Sequence, residues 1–594
     1  MTRLRGISAA CAAILFALPV DTVLANDDTR DTIVVTATRN PTSIDDTIVP
    51  VRLISRDDIE LSLASDLADL LRFEAGLDIG RNGGPGQATS VFLRGTESNH
   101  TLVLMDGVRI NPGTIGGAAF QNIAPDLIER VEIVKGARSS LFGTDAIGGV
   151  INIITRKADG NYLDAGLSTG SFDTRSGHVS AGARRENAGL GATVSFQETD
   201  GFPPRTDSDI DRGYKNLSAS VQAATTFGRN TLSARHWQTG GTTEYLDFFL
   251  NPVDQDYENS ATAVQLDSGL GDNGTSQLIL SHMRDEIAQN QSPDFVESKR
   301  LTLDWQYSHA LDQHTLSGGV YLVDEDASAE SFGAGFDEST DVRAVFVQDE
   351  MSFERQRAFV AVRLTDHETF GQQTTWNAEY AFDLNDSWTV GAGLAHAFRA
   401  PDATDRFGFG GNPALDPELS DSASLSLRYS GGSRHRFEIE YYANDIEDLI
   451  EFDFATFTLA NLDRAEIRGV QAGYEYRGDS ITVRADLVRQ SADNATTGER
   501  LLRRAEESAT VSVVKNLGPH RVGLSVLAAG DRKDFGDVTL DSYVVANLNG
   551  QLALGDHWRL TARIENLFDE AYETAANFRM QELSAFVELS YGSR

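Results

Sequence analysis

Cysteine occurs once in 594 residues, as Cys11. It sits in an apolar stretch with more apolar residues behind it, so neither a lipoprotein attachment site nor, beyond it, a disulfide framework or a cysteine nucleophile is expected. No later segment holds the roughly 18 consecutive apolar residues of a transmembrane helix. Basic residues are scarce: 51 Lys and Arg face 88 Asp and Glu, a net charge of −37. That excludes a nucleic-acid partner and points to cations or a strongly solvated outer surface. The 11 histidines form no His-Glu-x-x-His or comparable spacing, so a hydrolytic metal site has no support.

What is present begins with Met-Thr-Arg-Leu-Arg, an apolar stretch from Ile7 to Val20, and Val23-Leu24-Ala25. A basic start, a short apolar core and small residues before Asn26 predict a leader over residues 1–25 and an exported chain. Residues 31–40 then read DTIVVTATRN. Ile33, Val34, Val35 and Thr36 are an unbroken strand-forming run. Nothing ahead of it can pair with it, and Pro41 closes it from behind. An unpartnered strand is a liability unless another protein supplies the neighbour.

Residues 50–157 read as a small mixed α/β unit, after a linker over 26–49. Leu63, Leu67, Leu70 and Leu71 share one helical face, and Gly76 can end that helix. SVFLRG, TLVLMDGVRIN, ERVEIVKG and GGVINIIT predict strands, with a tight turn at Asp106-Gly107. The Gly-rich RNGGPGQ lacks the Gly-Lys-Ser/Thr ending of a phosphate cradle and predicts an exposed loop. From residue 158 to 594 the pattern is period two. Ala423, Leu425, Leu427 and Tyr429 alternate with polar residues, as do Phe437, Ile439, Tyr441 and Ala443, and later Ala585, Val587, Leu589 and Tyr591. A soluble sandwich would also alternate, but roughly 435 residues of hairpins fit a large barrel of about 22 strands, a size whose lumen is plugged. The acid-rich stretch from Asp324 to Asp341 predicts a solvated loop.

Several of these stretches resemble the TonB-dependent outer-membrane receptors, most closely the cobalamin-receptor branch. DTIVVTATRN is similar to that family's TonB box. RNGGPGQATSVFLRGTESNHTLVLMDGVRIN and VEIVKGARSSLFGTDAIGGVINIITR resemble its plug. FGGNPALDPELS, YYANDIEDLIEF, NLDRAEIRGV, LLRRA and ARIENLFDEAYET resemble its later barrel strands. The resemblance implies an all-β transmembrane barrel with an N-terminal mixed α/β plug, monomeric in the outer membrane and in contact with lipid. It implies that Asp31, Thr32, Ile33, Val34, Val35 and Thr36 pair with TonB, and that a cobalamin or related small molecule is taken up actively. For ligand contact it carries over Asn82, Gln87, Ala88, Thr89, Glu97, Ile115 and Gly116, where Ala88 and Glu97 depart from the family's larger apolar residue and neutral amide. A receptor for a ferric siderophore or haem is the alternative within the class; a passive porin needs neither plug nor TonB box, and a barrel-embedded hydrolase needs a nucleophile–base pair.

Two motifs invite other chemistry. Gly166-Leu-Ser168-Thr-Gly170 matches a nucleophile elbow, but it lies in alternating hairpin sequence without the strand–turn–helix context. Asp207, Asp209 and Asp211 alternate as in a calcium loop, since hard cations take six to eight oxygens. Arg212 and Ser218 at the sixth and twelfth positions exclude an EF-hand. The resemblance adds Asp247 and Asp256 to a possible structural calcium site, against the alternative of an acidic loop facing water. Tyr591 stands for the terminal aromatic of such barrels, with Gly-Ser-Arg overhanging.

Overall fold

The computed structural model describes residues 34–35, 38–158, 160–432, 434–453 and 455–593. Twenty-two antiparallel strands, from Tyr162–Gly170 to Ser584–Gly592, close into a barrel. Closure is a ladder between the first and last strands, with Ala165 opposite Tyr591 and Thr169 opposite Val587. The apolar set of each strand faces outward: Leu167 is 68% exposed and Leu425 56%. The alternate positions turn into the lumen, where Ser180, Ser218, Thr239 and Ser298 are buried. A soluble sandwich would bury the leucines instead, so this inverted alternation decides for a lipid-facing wall. Aromatic pairs lie at the rim opposite the long connections, Trp388 with Tyr429 at 4.8 Å and Trp558 with Tyr591 at 5.3 Å between ring centroids. They suit the membrane interface.

Short turns at 186–187, 228–229, 312–313 and 518–519 mark one rim, the periplasmic one by the usual asymmetry of such barrels. The longest connections, 400–417 and 566–583, belong to the other rim. Strand length is uneven. Trp558–Glu565 has 8 residues and Tyr162–Gly170 has 9, whereas Ala334–Ser352 has 19 and Thr458–Arg477 has 20. The stretch from Asp324 to Asp341 is not a loop. It forms the top of the hairpin His314–Ser331 with Ala334–Ser352, turning at Phe332-Gly333. The period of two persists through the acids: Val323, Ala327 and Ala329 stay buried while Asp324 and Asp326 face solvent.

The lumen holds the N-terminal unit. Its five-stranded sheet has the order Val51–Ile54, Ile128–Lys135, Gly149–Thr155, Thr101–Met105, Val108–Arg109. Asp106 and Gly107, with φ of 52° and 83°, make the expected hairpin turn. Thr89–Leu93 leaves this sheet and pairs with Leu77–Arg81 as a separate hairpin. The single helix expected over Leu63–Leu71 is two short ones, Arg56–Ser62 and Leu67–Leu71. Leu63 ends the first with φ of 47°, and Asp66 caps the second by accepting from the Asp69 amide. The unit's apolar core includes Leu67, Val103, Phe120, Ile133 and Ile151, and continues into Trp237 and Met283 of the barrel. Beside the shortest strands the packing is open, and a cavity of about 1080 Å³ runs from Pro85 and Phe172 down to Glu60 and Arg559. The nucleophile-elbow match lies within the strand Tyr162–Gly170.

Gly149 starts a central strand with φ of +148°, and a Cβ there would lie 2.3 Å from the Val134 carbonyl oxygen. Gly149→Ala is expected to destabilise the lumenal unit by about 1–3 kcal/mol. A lower urea midpoint for its protease protection, with the barrel's heat-modifiable gel mobility unchanged, is the expected readout.

Candidate functional site

The outer end of the lumenal unit bears the expected ligand residues on three segments, each held by a different part of the barrel. The first, 82–88, connects the hairpin strands Leu77–Arg81 and Thr89–Leu93. The Asn82 amide donates to the Ala88 carbonyl at 3.0 Å, and Gly83 and Gly86 adopt positive φ. A Cβ on Gly86 would fall 2.1 Å from the Tyr214 ring, so only glycine fits against that barrel residue. Gln87 is buried, and its side-chain nitrogen donates to the Glu244 carbonyl at 2.7 Å. Thr89 donates to the Gln87 carbonyl and accepts from Arg81. Asn82 is half-buried and Ala88 exposed. Of the two amides, Gln87 anchors the loop and Asn82 is left nearer the surface.

The second segment, 112–117, is held from below by Asn111. Its side chain donates to the Thr101 and Gly116 carbonyls and accepts from the Val103 amide at 2.7 Å. The first amides of the short barrel-loop helix Ala403–Phe407 donate to Gly113 and Thr114 at 3.0 Å. These are the donors a helix start leaves unpaired. Ile115 stands 45% exposed at the crest.

The third segment bears Glu97, whose carboxylate lies 2.5 Å from Arg504. Arg504 also donates to the Gly95 carbonyl and stacks over Phe92 at 4.6 Å. The charge at position 97 is therefore compensated by the LLRRA stretch. Arg81 is compensated likewise, by Asp66 at 2.6 Å. The sequence alone does not mark Arg504, Tyr214 and Glu244 as site residues, because their partners lie more than a hundred residues away; LLRRA is visible there only as a motif.

The five aspartates expected to hold calcium do not converge. Asp207 is bound by Arg205, which holds its carboxyl below the usual range, and Asp209 lies 3.7 Å from Arg579. Asp211 is exposed. Asp247 accepts from Asn251 and the Phe249 amide within its own turn, and Asp256 accepts from Thr242 at 2.6 Å. Among the described residues no three His, Cys, Asp or Glu side chains group as metal ligands. The residues present do not fit a ready-made calcium cradle.

At the inner end, Asp31, Thr32, Ile33 and Thr36 lie outside the described residues. Val34 and Val35 pair antiparallel with Ser43 and Thr42. The strand thus has a neighbour in its own chain, beyond Pro41, although the sequence offers none ahead of it. The adjoining residues are moored to the barrel. Arg39 forms an ion pair with Asp304 at 2.6 Å and donates to the Leu141 carbonyl at 3.0 Å, and Asn40 binds Gln306 and Glu350.

Residues 43–150 match the family model described as TonB-dependent Receptor Plug Domain, and residues 154–567 that described as TonB dependent receptor-like, beta-barrel. The chain belongs to the TonB-dependent receptor family. Such a receptor is a TonB-dependent transporter of small molecules in the outer membrane of a Gram-negative cell, and not an enzyme. Two curated relatives are vitamin B12 transporters BtuB. That of Vibrio vulnificus is 30% identical over 581 residues, 92% of each chain. That of Photobacterium profundum is 28% identical over 597 residues, 97% of each. Among solved structures, the FrpB iron transporter from Neisseria meningitidis superposes with a TM-score of 0.81 at 14% identity, covering 91% of this chain and 99% of that one. A mutant ferric enterobactin receptor PfeA from Pseudomonas aeruginosa gives 0.79 at 16%, covering 91% and 98%. At such identities these two establish the shared receptor fold.

Arg504→Met removes the counter-charge of Glu97 and the donor to Gly95. Amide hydrogen exchange across residues 495–506 is expected to rise about tenfold, equivalent to roughly 1.4 kcal/mol of local stability, with exchange across 530–542 unchanged.

Proposed function

We propose that this receptor imports a cobalamin or a close corrinoid, captured at the outer end of the plug and drawn inward by TonB. The observation that carries the reading is the internal compensation of charge at that end. Arg81 is paired with Asp66 and Glu97 with Arg504. What the three segments then offer a ligand is the Asn82 amide, the backbone of a glycine-rich loop and the apolar Ile115. An amide-rich, bulky solute suits such a surface. The names of the two curated relatives support the same cargo.

A ferric siderophore is the second reading, and one feature favours it. Beside the 112–117 segment, a cavity is lined by Arg109, Arg363, Arg399 and Arg406, whereas the plug segments 81–90 and 111–120 offer only Arg81. Titration of the purified receptor with cyanocobalamin and with a ferric catecholate separates the two. Tight binding of cyanocobalamin alone is expected, and capture of the catecholate alone overturns the corrinoid assignment.

For energy coupling, the proposed partner of residues 31–36 is TonB, which replaces Thr42–Ser43 as the neighbour of Val34–Val35. Proline lacks the amide that such pairing uses. Val34→Pro is expected to abolish uptake by cells while leaving the dissociation constant of the purified receptor within twofold. Normal uptake by a correctly inserted variant would refute strand addition at this position.

A further inference from the structure

The cavity beside the 112–117 segment has a volume of about 910 Å³. Its floor is plug, from Phe142 to Asp145, and its wall is the upper part of the barrel strands around Tyr321, Glu325 and Arg363. The loop helix Ala403–Phe407 borders it, placing Arg406 at the edge. Most of its charges are already committed. Arg109 is paired with Asp145, and Glu325 with the buried Arg300. Arg399 holds Asp402, Asp405 and Glu418.

Two cations are not committed in this way. Arg363 is 1% exposed and has no carboxylate within ion-pair distance among the described residues. It lies over the Tyr321 ring at 4.8 Å, with Nε donating to Thr365 and Nη1 reaching the Leu141 carbonyl at 3.5 Å. No such partner is present for Nη2 among the described residues; a Cβ added at Gly143 would lie 3.2 Å from it. Arg406 lies against the rings of Phe370 and Phe407, at 5.4 and 4.5 Å, and makes no ion pair among the described residues. Against these two, Glu338 is the one lining carboxylate without an ion pair among the described residues. These two guanidinium groups stand without an ion pair among the described residues, inside a protein whose net charge is −37. A buried guanidinium without a carboxylate is expensive to keep, because desolvation is offset only in part by a ring face and neutral acceptors.

We propose that this cavity is a second ligand subsite, specific for a singly anionic oxygen group, in which Arg363 receives the group from inside and Arg406 from the edge. A guanidinium fork matches two oxygens of a phosphate or carboxylate, and the burial of Arg363 beside an aromatic ring strengthens the pairing. The proposal rests on the transporter assignment and refines the cargo: the group is the phosphodiester of a nucleotide-bearing corrinoid, or an acidic oxygen of a siderophore. Glu338 opposes a second negative charge and so sets the preference for a single one.

The test is calorimetric titration of the full-length receptor in detergent with cyanocobalamin, which carries the phosphodiester, and with dicyanocobinamide, which lacks it. Wild type is expected to bind cyanocobalamin at least tenfold more tightly. Arg363→Met and Arg406→Met are each expected to erase most of that preference, with Arg363→Lys intermediate, while dicyanocobinamide affinity moves less than twofold. A structural role alone would weaken both ligands together. Equal binding of the two by wild type, or an undiminished preference in both Met variants, overturns the subsite and leaves the corrinoid reading standing. If only a ferric catecholate binds, and its affinity falls tenfold in the Met variants, the corrinoid reading fails and the subsite stands. Independently of cargo, the phosphorus-31 resonance of dimethyl phosphate, a single-charge phosphodiester, is expected to broaden with wild type and not with Arg406→Met; equal line widths count against the subsite. Heat-modifiable gel mobility confirms folding of each variant.

Discussion

In hydrocarbon a backbone amide has no water to turn to, and every strand must find its hydrogen bonds in another strand. The ladder between Tyr162–Gly170 and Ser584–Gly592 meets this condition for the whole wall at once. Closure dictates the rest. Apolar side chains go outward to lipid, and the inner face is left to serine, threonine, glutamine and charged residues. A lumen lined in this way cannot be filled by an apolar core. Its occupant must present polar groups of its own, and they must match.

They do so through long-range pairs that span plug and barrel. Arg563 meets Asp69 at 2.7 Å, Arg138 meets Glu379 at 2.5 Å, and His100 meets Glu418 at 2.9 Å. Apolar contact with the wall falls in separate patches, around Trp237 and Met283, at Ala137 and Ile147, and at Leu141. Buried ion pairs add modest net stability but penalise any arrangement that leaves one member alone. A plug held by such pairs and by separate apolar patches is specified in position by many local contacts rather than by one shared core.

The barrel is legible in sequence because its period of two continues for hundreds of residues and each hairpin is local. The same rule misleads where acids replace apolar residues. From Asp324 to Asp341 the alternation survives in Val323, Ala327 and Ala329, but charge obscures it, and the chain reads as a loop where it forms a hairpin. The plug helix is misleading for a different reason. Leu63 to Leu71 has helical spacing, yet Asp66 caps a new start in its midst. The segments expected to meet ligand can be placed by their motifs, whereas their electrostatic state cannot. Glu97 is neutralised by Arg504 and Arg81 by Asp66, and the first pairing spans most of the chain. The calcium expectation depends on carboxylates meeting in space, and spacing along a chain does not report that.

The unequal strands shape the outer mouth. Relative to the strands of 8 and 9 residues, those of 18 and 19 stand higher by roughly 25 Å, at about 3.3 Å per residue and a tilt near 40°. On the high side the edge is a continuous hydrogen-bonded ladder that resists bending. On the low side it is finished by irregular chain, above all residues 566–583, which Thr574 fastens to Arg81 of the plug. The mouth therefore has one lip of paired strand and one lip of loop. The second is riveted to the plug itself, so the plug and that side of the mouth share a seam.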